Sequence, residues 1–200
     1  MAVAEEAPSN FAGIQIWEQS RKIAVKGIVN MQDGLVELLA TAPGGKEHES
    51  VLVLQCNPLL LYTALGLIAL NPAQLTDYRA SSAADTLPGD QLFITVTWMR
   101  NGQQHTERAE NLVWDKKYDR PMPKTHWVFT GSRFYRNRAT GQTIFMAGQT
   151  GVLVATYFDA DAIINNPLPE RMDDTGYYAN SKLLPPRGTE VTVLFDHSEK

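Results

Sequence analysis

Gln91-Leu92-Phe93-Ile94-Thr95-Val96-Thr97-Trp98-Met99-Arg100-Asn101-Gly102-Gln103-Gln104-His105-Thr106 is the stretch that decides the fold class. Leu92, Ile94, Val96 and Trp98 alternate with Phe93, Thr95, Thr97 and Met99, the period-two pattern of a half-buried strand. Asn101-Gly102 supplies the two positive-φ positions of a type I′ turn. Pairing outward from that turn sets Met99 against Gln104, Trp98 against His105 and Thr97 against Thr106. The returning strand carries the chain towards Leu112, Val113 and Trp114.

Outward from this hairpin, the same alternation predicts strands over Ile14–Trp17 and Lys22–Val29. Gly34 resets the chain before a third candidate, Leu35–Thr41, which Pro43-Gly44-Gly45 closes with a turn. Lys46–Cys56 reads as one long extended segment, polar at first and apolar on both faces over Val51–Leu54. Asn57-Pro58 signals a helix start, because Asn caps free amides and Pro at the first position gives up a donor without a partner. That helix, to about Ala69, is apolar all round and so predicts deep burial; Asn71-Pro72 ends it. Residues 73–90 read as a loop. Trp127–Phe129 reads as a strand stopped by Gly131; Thr143–Ala147 and Val152–Phe158 follow, divided by a Gly148–Gly151 turn. Asp159 predicts the cap of a short helix near 160–165. Pro167, Pro169, Pro185 and Pro186 make residues 166–189 a long irregular excursion, and Val191–Phe195 is the terminal strand. The sum is an α+β chain: a predominantly antiparallel β-sheet of about eight to ten strands, one buried helix near 58–69 and a short helix near 160–165. Residues 1–12 read as a flexible tail and 13–200 as a single domain.

The chain has 200 residues, 44% of them hydrophobic, and a chain of this size hides roughly 70% of the surface its unfolded form exposes. Eighteen basic residues stand against 22 acidic ones, a net charge of -4, so no positive field favours nucleic acid. Arg133, Arg136 and Arg138 cluster around Phe134 and Tyr135 as a solvated hairpin end rather than a phosphate-tracking stripe. Cys56 is the only cysteine, which excludes an internal disulfide and an all-cysteine metal site. The longest apolar run, Leu59–Leu70, falls short of the ~18 residues a membrane-spanning helix needs. Ala2-Val3-Ala4 has the small-x-small form of an export-signal cleavage site.

Gly44-Gly45-Lys46-Glu47-His48-Glu49-Ser50 holds the densest set of reactive groups. An extended backbone there points Lys46, His48 and Ser50 to one side and Glu47 and Glu49 to the other. No joint grip of His48 and a glutamate on a metal is then possible without a bend. Two readings follow: Lys46, Glu47, His48 and Glu49 line a cleft as acid, base or ligand, or they form a polar strand end that ties down neighbouring turns. His48, Glu49 and His126 are the metal candidates, with a divalent ion as the only cofactor in view; none is predicted outright. Trp127, Ser132 and Tyr177 are the binding candidates. His105, opposite Trp98, is read as a packing residue. The pairs Asp159/Asp161 and Asp173/Asp174 lack the pattern of a calcium loop.

Gly45-Lys46-Glu47-His48-Glu49-Ser50-Val51, then Trp127-Val128-Phe129-Thr130-Gly131-Ser132, then Asn180 through Leu184-Pro185-Pro186-Arg187-Gly188-Thr189 resemble the YdjY-domain family, in order and from about residue 14 onward. The resemblance implies a mostly exported bacterial protein of unestablished function and brings no catalytic residues with it. Some relatives are described as ferredoxin-like, from which this sequence departs, since Cys56 alone cannot hold a cluster. The leading expectation is a secreted or periplasmic, non-catalytic domain that binds a small ligand or a protein partner. The alternative is a metal-dependent or acid–base enzyme centred on Gly45–Glu49, completed by His126 or an Asp of the 159–174 region. A third is an electron-transfer accessory using an external cofactor.

Overall fold

The structure, a computed structural model, describes residues 6–72 and 86–199. Its strands are β1 (Ser9–Phe11), β2 (Ile14–Trp17), β3 (Lys22–Val29), β4 (Leu38–Thr41), β5 (Ser50–Leu54), β6 (Gln91–Arg100), β7 (Gln103–Arg108), β8 (Val113–Asp115) and β9 (Arg120–Pro121). After them come β10 (Trp127–Phe129), β11 (Phe134–Arg136), β12 (Thr143–Phe145), β13 (Val152–Ala155), β14 (Ile164–Asn165), β15 (Tyr177–Ala179) and β16 (Glu190–Asp196). The helices are α1 (Pro58–Leu67) and a single-turn α2 (Met146–Thr150), with 3-10 turns at Glu47–Glu49, Ala109–Leu112 and Pro169–Met172.

The β6–β7 hairpin forms in the register its turn dictates: Met99 faces Gln104, Trp98 faces His105 and Thr97 faces Thr106. Asn101 and Gly102 take φ of 52° and 75°. Trp98 and His105 stack at 6.1 Å, and the Thr97 and Thr106 hydroxyls bond at 2.9 Å. Around this ribbon the sheet runs β3-β16-β6-β10-β14-β13-β4-β5 and closes because β5 also pairs with β3, giving a barrel of eight strands. Two of its pairings, β4–β5 and β13–β14, are parallel; the rest are antiparallel. The class is α+β and β-rich. The inner face of β3, β6 and β16 supplies Ile23, Val25, Ile94, Val96, Val193 and Phe195, and β10 adds Trp127 and Phe129, all in one buried cluster. Val128 alternates to the other face, where Leu87, Phe158 and Ala160 cover it.

Several expectations are corrected by packing. The helix forms with Asn57 accepting from the Leu59 amide at 2.9 Å and Pro58 in its first turn, and Arg21 donates to the carbonyls of Ile68 and Ala69 beyond its carboxyl end. It is not buried all round: Leu61, Ala64 and Leu65 enter the core, while Leu59 and Leu67 face solvent. No helix forms near 160–165. Asp159 caps an Asx turn instead, accepting from the Asp161 amide at 2.8 Å, and the buried Ile164 and Asn165 pair with β10 and β13 as β14. The expected turn over Gly148–Gly151 is the end of α2, closed by Gly151 in the left-handed region. Within the expected tail, Ser9–Phe11 pairs with β2 and the Glu6 carboxylate accepts from Gln19 and Ser20. Residues 1–5, with the Ala2-Val3-Ala4 motif, and 73–85 of the expected loop lie outside the described residues. The strands exceed the predicted number because β1, β9, β11, β14 and β15, of two or three residues each, are too short to leave a periodic signal.

Candidate functional site

The Gly44–Ser50 segment does not run extended, and the reason is close backbone contact. Gly45 packs on Gly151, so that a Cβ at 45 would sit 3.0 Å from the Gly151 Cα and one at 151 would sit 2.6 Å from the Gly45 Cα. The chain therefore turns, with Gly45 N–H bonded to the Ala42 carbonyl at 3.0 Å and Glu47 N–H to the Gly45 carbonyl at 2.8 Å. Buried Asn30 then fixes the Glu47–Glu49 turn by donating to the carbonyls of Glu47 at 2.6 Å and Ser50 at 2.8 Å. This 3-10 turn replaces the side-to-side alternation expected of a strand. It brings His48 Nε2 within 3.7 Å of Glu49 Oε2 and Lys46 Nζ within 3.2 Å of Glu49 Oε1.

Across the cleft, Lys46 Nζ meets Asp159 Oδ2 at 3.4 Å. Asp159 is held by Asn165, fully buried, whose side chain accepts from the Asp159 amide at 3.0 Å and donates to the Asp159 carbonyl at 3.0 Å and to the Thr130 hydroxyl at 2.8 Å. Arg133 binds Asp161 through Nε at 2.7 Å. Glu37 joins from the approach to β4, its amide bonded to the Glu49 carbonyl at 3.1 Å. The cleft, open to solvent, has a volume of about 380 Å³ and is lined by Glu37, Lys46, Arg133, Asp159 and Met172 among others.

Electrostatics sort these groups. Burial alone would lower the Lys46 ammonium, but Asp159 and then Glu49 outweigh it and hold Lys46 above its ordinary range. It stays protonated, which suits it to ion pairing and not to nucleophilic attack. Burial raises the Glu37 carboxyl, and the negative charge of Glu49 adds to the rise while Lys46 opposes it.

A family model, the YdjY domain, matches residues 14–196. The chain belongs to the YdjY domain family. No curated protein and no solved structure matches it. The matched span of the YdjY domain runs from β2 to the end of β16 and so includes the whole barrel and every residue of the cleft. No helix among the described residues is long and apolar enough to cross a membrane.

Within this YdjY domain the candidates are distributed unevenly. Lys46 enters the cleft, and Glu49 holds its ammonium at 3.2 Å without lining the cleft itself. Glu47 turns back and accepts from the Gly44 amide at 2.8 Å, and His48 stays at the rim with its side chain 80% exposed. His126 lines a different cavity with Leu87 and Leu168, where burial lowers its imidazole. The trio His48, Glu49 and His126 is therefore not assembled, and among the described residues no three His, Cys, Asp or Glu side chains converge to hold a metal. Trp127 and Tyr177 lie in the core. Ser132 is buried with its hydroxyl accepting from the Ala147 amide at 3.0 Å. Asp159 falls in the 159–174 region expected to complete the site. Glu37 and Met172 carried no local signal, since each reaches the cleft only through tertiary pairing.

Proposed function

We propose that the chain is an exported, non-catalytic binding domain whose cleft takes a small polar ligand bearing a cationic group. The carrying observation is the excess of carboxylate there: Glu37 and Asp159 line the cleft with the single ammonium of Lys46, which also pairs with Glu49, while Arg133 is already engaged by Asp161. Burial first and the neighbouring Glu49 charge second raise the Glu37 carboxyl, and a ligand cation would offset the second of these. Half-exposed Met172 offers a polarizable apolar wall for methylene groups beside the charges. Export rests on the family resemblance, and fractionation of bacterial cells making the protein from its native gene tests it.

Amide NMR titration with cadaverine, and with acetate as the opposite charge, tests the binding reading. Cadaverine should shift the resonances of Glu37, Lys46 and Asp159, and acetate should leave them in place. Selective perturbation by acetate, or no response to either probe, would defeat the proposal. Acid–base catalysis is a second reading favoured by one observation: a carboxyl raised by burial stands beside a protonated lysine. Turnover of a bound probe into a new species in the same spectra would favour it.

A further inference from the structure

Leu59 and Leu67 on the outer face of α1 are 48% and 50% exposed, and Phe134 and Tyr135 on β11 are 51% and 55% exposed. The two elements are neighbours, because the Tyr62 ring on α1 meets Phe134 at 5.7 Å edge to face. Solvated leucines on a helix with no charged residue, next to solvated aromatics on a two-stranded ribbon, are more apolar surface than a lone exposed side chain. Charge then separates the occupants. Between Asn57 and Leu70, and again between Arg133 and Phe145, there is no acidic residue, although acids outnumber bases in the chain. Arg133 is paired with Asp161; Arg136 and Arg138 are exposed and form no ion pair among the described residues.

We propose that α1 and the β11–β12 hairpin form a membrane-docking surface that seats the protein on anionic phospholipid. Phe134, Tyr135, Leu59 and Leu67 enter the boundary between headgroups and acyl chains, and Arg136 and Arg138 meet lipid phosphates beside them. Exposed aromatics with cations at their flanks match that interface, where one end of each group is apolar and the other wet. A nucleic acid does not suit a surface with two cations and four apolar side chains. Docking here is peripheral and reversible, and it is independent of the cleft.

Co-sedimentation with phosphatidylcholine vesicles, with and without phosphatidylglycerol, tests it on the full chain. Binding should require phosphatidylglycerol and weaken with added salt. Arg136→Ala with Arg138→Ala should lower the partition coefficient roughly 25-fold, about five-fold per cation. Tyr135→Ser, a change at a solvated position that leaves the Tyr62–Phe134 contact in place, should lower it at least about five-fold. Unchanged thermal midpoints show that these variants fold. No binding to phosphatidylglycerol vesicles, binding equally strong without that lipid, or binding that neither variant reduces would each overturn the proposal.

Discussion

Replacing Asn165 with Ala should loosen the carboxylate side of the cleft and destabilise the fold together. Asn165 is fully buried on β14 and makes three side-chain hydrogen bonds, at 3.0, 3.0 and 2.8 Å, to the amide and carbonyl of Asp159 and the Thr130 hydroxyl. Each contributes about 1 kcal/mol net, so removing all three costs about 3 kcal/mol. The Thr130 hydroxyl keeps its contacts with the Ala162 and Ile163 carbonyls, which limits the loss. For a chain of this length that corresponds to a fall in Tm of about 6–12 °C. Urea denaturation followed by circular dichroism measures the first quantity, and the Asp159 amide resonance reports whether the carboxylate has left Lys46. A loss below about 1 kcal/mol with an unmoved Asp159 resonance would show that this network does not position the site.

The charged and backbone features make further predictions. Glu37→Gln should flatten the pH dependence of stability: a carboxyl raised on folding keeps more protons in the folded chain, so stability falls as pH rises from its ordinary value of 4.5 through the raised one. Urea midpoints at acidic and neutral pH should show the variant gaining relative to wild type at neutral pH, and an unchanged slope would count against it. Lys46→Met should cost less than about 1 kcal/mol, because its side chain is 38% exposed and solvent screens the pair, while raising the Glu37 carboxyl further in a carboxyl-carbon NMR titration. Gly45→Ala should cost about 2 kcal/mol or more in urea denaturation through the contact with Gly151; wild-type stability would contradict the close approach.

Where structure depended on neighbours in sequence, the amino acids were readable. The type I′ turn at Asn101-Gly102 sets the β6–β7 register without help from elsewhere, and Asn57-Pro58 starts α1 by the same local logic. Closure of the barrel was not readable, since it rests on β5 meeting β3 and β16 entering between β3 and β6. The outer face of α1 misled because an all-apolar helix has no polar stripe to mark the side left in solvent. The cleft was half visible: Lys46 and Glu49 stood out by density of charge, but their convergence depends on Gly45 meeting Gly151, a contact between residues far apart in sequence. Alternation was the wrong rule for Glu47–Glu49, where a 3-10 turn sets which side chains meet.

The seat of β16 has a consequence for how the chain is made. Residues 190–196 bond to β3 along one edge and to β6 along the other. During vectorial synthesis the ribosome releases both flanking ribbons long before the strand that joins them, leaving two unsatisfied edges open to mispairing. Closing so distant a contact is slow, so these edges are the places where a chaperone would hold the nascent protein until β16 arrives.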